Sequence, residues 1–208
     1  FDSQKDTQLI TTIANEFEKH MIHSTSTIPS LFKKYKYYTE IQKGENYGKL
    51  FIIYNNQHTC ILDLEKLGHK YDFFSPSSIE FSSNEEFVIF SVDFVGDRYH
   101  TIYMKNYFDD KVVKLVENVD GNTVIAPNNN EIYYLKMNKS MRANQVCTYN
   151  IYTKKHSLIY TEKDQTFSLG VHLTNTRSHV LLHCESWNSS HIYMIQNNVC
   201  TLLYKKEK

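Results

Sequence analysis

Three times along this chain, a solid apolar run of strand length is followed by a second strand-like run that carries a tyrosine. The pairs are Phe87-Val-Ile-Phe90 with Thr101-Ile-Tyr-Met104, Ile132-Tyr-Tyr-Leu135 with Thr148-Tyr-Asn-Ile151, and Val180-Leu-Leu182 with His191-Ile-Tyr-Met194. Tyr103, Tyr149 and Tyr193 stand 46 and 44 residues apart. A unit of that length built only of short strands cannot bury its own apolar faces and must stack on its neighbours, the habit of β-propeller blades. The alternative, a sandwich of about a dozen strands, does not ask for a fixed repeat.

Turn-formers and apolar runs divide the chain accordingly. Residues 6 to 22 carry Leu9, Ile13, Phe17 and Met21 at intervals of four, with Asp6 placed to cap the first turn, so an amphipathic helix is predicted there. A polar linker, Ser24 to Ser30 with Pro29, follows. Four blades are predicted at about 35–66, 77–117, 122–162 and 167–205, the first with only three strands: Tyr35 to Gln42, Lys49 to Tyr54 and Thr59 to Leu64. Ser82-Ser-Asn84, Pro127-Asn-Asn-Asn130 and Thr174-Asn-Thr176 separate the first two strands of the later blades. The second strands do not alternate, as expected where neighbouring blades cover both faces. The expected fold is all-β: a partial β-propeller of about four four-stranded antiparallel blades over 31–208, preceded by a helix and linker over 1–30.

The 23 basic and 23 acidic residues cancel, which leaves no general positive field for nucleic acid or an anionic membrane. The longest apolar runs, such as Leu50-Phe-Ile-Ile-Tyr54, are far shorter than the roughly 20 residues of a membrane-spanning helix. Cys60, Cys147, Cys184 and Cys200 are widely spaced inside apolar patterns and read as buried thiols of a reducing, cytoplasmic compartment, with neither a disulfide framework nor a zinc site.

An ordered series of further matches runs from about residue 9 to 195. It comprises Glu16, Pro29, Tyr35-Lys-Tyr-Tyr38, Gly44-x-x-Tyr47, Ile53-Tyr54, Leu62-Asp-Leu64, Val92-Asp-Phe-Val-Gly-Asp-Arg-Tyr-His-Thr-Ile-Tyr-Met-Lys-Asn106 and Tyr160-Thr-Glu-Lys-Asp-Gln-Thr-Phe-Ser-Leu-Gly-Val171. Together they resemble the N-terminal part of a prolyl oligopeptidase family serine peptidase, most similar to the oligopeptidase B (protease II) branch. The resemblance implies a seven-bladed propeller that caps an α/β-hydrolase domain with a Ser-Asp-His triad and admits only short peptides, cleaved after Lys or Arg. About four of the seven blades are expected in this chain, and the hydrolase domain is not. The implied role is non-catalytic gating, with peptide substrates as partners. A four-blade arc leaves two blade faces to be covered by a complementary chain with the remaining blades and hydrolase, or by self-association. A peptide- or protein-binding module without catalysis, or a relic of a decayed peptidase gene, are the alternatives.

The six glycines, Gly44, Gly48, Gly68, Gly96, Gly121 and Gly170, bracket no serine in a G-x-S-x-G elbow, so no catalytic residue is assigned. His179 and His183 would lie about 13 Å apart on a strand, too far to share a metal ion. His172 and His191 are possible ligands from neighbouring strands, but a solvent-facing strand edge explains them as well. His191 also stands where the family pattern is often acidic. The carboxylates of Asp93-x-x-Gly96-Asp97, Asp109-Asp110 and Glu162-Lys-Asp164 suit hydrated turns better than a calcium site, and no cofactor is expected. Gly44-Glu-Asn-Tyr-Gly48 has no phosphate-loop lysine or following helix. Trp187 is expected either as a lid over a blade core or as a loop-borne anchor for a partner.

Overall fold

The computed structural model describes residues 3–20 and 24–207, with side chains described from Thr7 onward. It divides into two compact units, residues 1–65 and 66–208.

The first unit opens with α1 (Ser3–His20), whose Leu9, Ile13 and Phe17 are all exposed. The helix starts before Asp6, which is therefore not its cap. The Asp6 side chain and Met21 lie outside the described residues. The expected linker contributes two short strands, β1 (Thr25–Ser26) and β2 (Ser30–Phe32), which both pair with β3 (Tyr35–Ile41). β4 (Lys49–Tyr54) and β5 (Gln57–Asp63) complete an antiparallel sheet. The three-strand reading of this blade was too short because Ser24 to Ser30 has no apolar period. Backbone pairing such as Thr25 with Ile41 needs none. Asn55 and Asn56 both take positive φ in the two-residue turn from β4 to β5, the handedness that matches strand twist in a tight hairpin.

A five-residue helix not foreseen in the sequence, α2 (Leu64–Gly68), spans the boundary between the units. The second unit then holds three four-stranded antiparallel blades. They are β6 (Ser75–Phe81) to β9 (Val112–Val119), β10 (Thr123–Ile125) to β13 (His156–Thr161), and β14 (Ser168–Leu173) to β17 (Val199–Lys206). Their middle strands are β7 (Phe87–Asp93) and β8 (His100–Asn106), β11 (Glu131–Met137) and β12 (Ala143–Asn150), and β15 (Val180–Glu185) and β16 (Ser190–Gln196). Every residue of β7 is buried, as its unbroken apolar run requires. Phe87, Ile89 and Ile102 pack against Ile132, Tyr134, Cys147 and Tyr149 of the next blade. That blade's other face sets Val124, Leu135 and Val146 against Leu169, Val171 and Leu182.

The structural repeat differs slightly from the tyrosine repeat. Tyr103 pairs with Phe90 and Tyr193 with Leu182, whereas the corresponding pair of the middle blade is Cys147 with Tyr134. Tyr149 sits two residues further along, on the same sheet face, because side chains alternate with a period of two. A register shift marks the equivalent point in each blade, at Leu50/Phe51, Ile102/Tyr103, Val146/Cys147 and Ile192/Tyr193. Bulges there strengthen the local twist of each third–fourth strand pair.

Candidate functional site

The first strands β6, β10 and β14 run beside one another, forming the inner edge of the three-blade unit. Each ends in the same turn. The amides of Ser82, Ala126 and Thr174 donate to the carbonyls of Phe87, Glu131 and His179. Glu85, Asn129 and Arg177 each take positive φ and return an amide bond to Ser82, Ala126 and Thr174. A left-handed residue at this place reverses the chain within a few residues, and asparagine tolerates it best.

These turns are tied to one another. Asn129 Oδ1 accepts the Ser83 amide at 2.6 Å, which joins the turns of the first two blades. Arg177 Nη2 donates to Glu80 Oε2 at 3.0 Å and to the Phe81 carbonyl at 2.6 Å, joining the third blade of the unit to the first. Burial raises the Glu80 carboxyl above the ordinary glutamate value, and the Arg177 guanidinium offsets only part of that rise. Further along the inner strands, Ser78 Oγ and Ser91 Oγ both donate to the Gly121 carbonyl at 2.7 Å. The Asn122 amide group accepts the Val171 N–H at 2.7 Å and donates to the Val171 carbonyl at 3.1 Å. The site is thus a braced polar rim that holds the blades in register.

Asp93, Asp97, Asp109, Glu162 and Asp164, singled out by sequence, each bond within their own turn. Asp93 accepts the amides of Val95, Gly96 and Arg98 at 2.8 to 2.9 Å. Burial opposes its ionisation, but these three donors and His100 outweigh it and hold the carboxyl below the usual aspartate range. Glu162 accepts the Tyr160 hydroxyl and the Asp164 amide, while Asp164 accepts the amide and hydroxyl of Thr166. Asp109 accepts the Lys111 amide, and Asp109 and Asp110 are both exposed. In the first unit, Glu65 takes the amides of Asn46 and Tyr47, the donors a phosphate would have needed.

The histidines separate by sheet face. His172 and His183 meet with ring centroids 4.9 Å apart, and burial followed by the His183 charge lowers the His172 pKa. His191 lies on the opposite face, paired in register with Cys184 and stacked on Phe167 at 4.9 Å. Strand alternation thus puts His172 and His191, the two possible ligands, on opposite faces of their sheet. His179 bonds the neighbouring Ser178 hydroxyl at 2.8 Å. Among the described residues, no group of three or more His, Cys, Asp or Glu side chains is arranged to hold a metal ion.

Two further expectations need correction. Trp187 is fully exposed at the β15–β16 turn and is not a lid, because the Ser186–Ser189 bonds project it away from the sheet. Cys60 is exposed on β5, whereas Cys147 and Cys184 are buried between blades and Cys200 is half-buried. The sequence had no signal for the Arg177–Glu80 bond, whose partners lie 97 positions apart.

The family described as "Prolyl oligopeptidase, N-terminal beta-propeller domain" matches residues 3–201. The chain belongs to this family. Its structure is similar to oligopeptidase B from Leishmania major, with a TM-score of 0.86 and 18% identity, over 99% of this chain and 31% of that one. Oligopeptidase B from Trypanosoma brucei with covalently bound antipain, in its closed form, gives a TM-score of 0.85 and 21% identity over 99% and 31%. Prolyl oligopeptidase B from Galerina marginata, bound to a 35mer hydrolysis and macrocyclization substrate, gives 0.69 and 12% over 93% and 32%. The chain thus spans about a third of the length of these family members. A comparison with curated proteins finds no match. Among the described residues, no helix is long and apolar enough to cross a membrane.

Proposed function

We propose that this chain is the gating propeller portion of an oligopeptidase B-like serine peptidase and supplies no catalytic residue itself. The observation that carries the reading is the braced inner rim, in which Asn129 and Arg177 tie the turns of three blades together. A rim held by half-buried polar contacts resists opening, so it admits a thin, extended peptide and rejects a folded protein. Family membership over residues 3–201 supports the setting. In that setting the remaining blades and a hydrolase domain cover the outer blade faces, and the peptides are short and basic, cut after Lys or Arg in the cytoplasm.

The test uses chromogenic Arg-containing peptides of increasing length, offered to this chain alone and to the peptidase in which it caps the hydrolase domain. The chain alone is expected to be inactive, and the capped enzyme to cleave short peptides while sparing long ones. Arg177→Ala is expected to relax the length limit while leaving cleavage of the shortest peptide unchanged. Turnover by the chain alone that a serine-directed inhibitor abolishes would overturn the non-catalytic reading. A length limit indifferent to Arg177→Ala would overturn the gating role of the rim.

A further inference from the structure

From the end of α2 onward, residues 67–74 fold over the face of the β6–β9 blade that carries Phe90 and Tyr103, the face turned away from the middle blade. They leave a pocket of about 170 Å³ between them. Five rings wall it: Tyr71, Phe74, Phe90, Phe94 and Tyr103. They contact one another in sequence, Tyr71 to Phe94 at 4.5 Å, Phe74 to Phe94 at 5.7 Å, Phe94 to Tyr103 at 6.0 Å and Phe90 to Tyr103 at 5.6 Å. Mutual contact fixes the walls before any ligand arrives, which lowers the ordering cost of binding.

Size and charge select the occupant. An apolar cavity of about 150 Å³ is enough to take up benzene, so one six-membered ring fits this volume. Offset and edge-on packing against five rings favours a planar aromatic over an aliphatic of equal size. Lys70 stands at the pocket with its ammonium 5.3 Å from the Tyr71 ring centroid. Lys114, whose charge also reaches Tyr103, is paired with Glu117 at 2.7 Å. A cationic ligand would meet Lys70 unfavourably, whereas an anionic group on the ring would meet its ammonium.

We propose that this pocket is a binding site for a single-ring aromatic carboxylate, with the ring among the five aromatic side chains and the carboxylate at Lys70. Nothing in the gating reading requires it, and the two stand or fall separately.

The experiment titrates the full chain with phenylacetate, phenethylammonium and toluene, followed by NMR shifts of the Phe94 and Tyr103 ring resonances and by calorimetry. Phenylacetate is expected to bind about fivefold more tightly than either of the others, the preference that one exposed ion pair supplies. Lys70→Gln, an exposed change that leaves the fold intact, is expected to erase that preference while retaining ring binding. Val112→Phe, which fills the pocket from its lining, is expected to abolish binding of all three. Equal affinity for the three probes, a preference unchanged by Lys70→Gln, or shifts confined to residues away from the pocket would overturn the proposal. Should Val112→Phe unfold the chain, the Lys70→Gln result alone decides.

Discussion

Arg177, in the turn that joins β14 to β15, donates to Glu80 Oε2 at 3.0 Å and to the Phe81 carbonyl at 2.6 Å, fastening the third blade of its unit to the first. Both side chains are largely withdrawn from solvent. The bond therefore couples blades that share no sheet.

Arg177→Ala leaves a buried carboxylate without its main cation and is expected to cost about 1–3 kcal/mol, lowering the thermal midpoint by several degrees. The Glu80 pKa is already raised in the folded protein, so its contribution to stability is present below the ordinary glutamate value and is lost as pH rises through the folded value. Removing Arg177 raises that value further. The gap between wild type and Arg177→Ala is thus expected to be widest at neutral pH and to close on acidification, as calorimetric scans at pH 4 and 7 would report. Adding Glu80→Gln is expected to recover part of the loss.

Asn122 imitates a paired strand edge by engaging both backbone groups of Val171, a fully buried residue of the neighbouring blade. Asn122→Ala leaves the Val171 N–H and C=O without these bonds and is expected to cost about 2 kcal/mol. Hydrogen exchange at the Val171 amide checks the assignment, since protection there is expected to drop more than at β11 or β12.

Asp93 shapes the β7–β8 loop through three amide bonds, including that of Gly96 at positive φ. Its lowered pKa means that its stabilisation is present above the ordinary aspartate value and is lost as pH falls through the folded value. Asp93→Asn keeps the size but loses the charge and turns an N–H₂ toward a donor. The expected cost is about 2 kcal/mol at neutral pH, shrinking under acid, measured by urea denaturation at several pH values.

Thiol reactivity is expected to be uneven. Burial raises the Cys184 thiol to about 12 and also raises Cys147 and Cys200, whereas Cys60 is exposed. Because the thiolate is the nucleophile, native protein treated with iodoacetamide is expected to carry one label, at Cys60, by peptide mass spectrometry. Early labelling at Cys184 would show that the two blades flanking it separate readily.

Much of the architecture was legible because it rests on local chemistry. The unbroken Phe87-Val-Ile-Phe90 run announced a strand covered on both faces, and the Asn-rich and Ser-rich segments announced turns that β7, β11 and β15 follow. β1 and β2 were missed because their short polar segments are held by backbone pairing, which leaves no periodic mark. Tyr149 was taken for the partner of Tyr103 and Tyr193 because residue identity, not register, was all the sequence offered, and the bulges place Cys147 there instead.

Alternation and turn chemistry act between residues a few positions apart, so the order of residues alone determined the strands from β3 onward, their grouping into blades and the family likeness. The contacts that brace the inner rim, the meeting of His172 with His183, the exposure of Trp187 and the five-ring pocket arise between segments far apart in the chain. Only the stacking and twist of the blades decided those, because side-chain proximity across sheets depends on geometry that no neighbouring residue encodes.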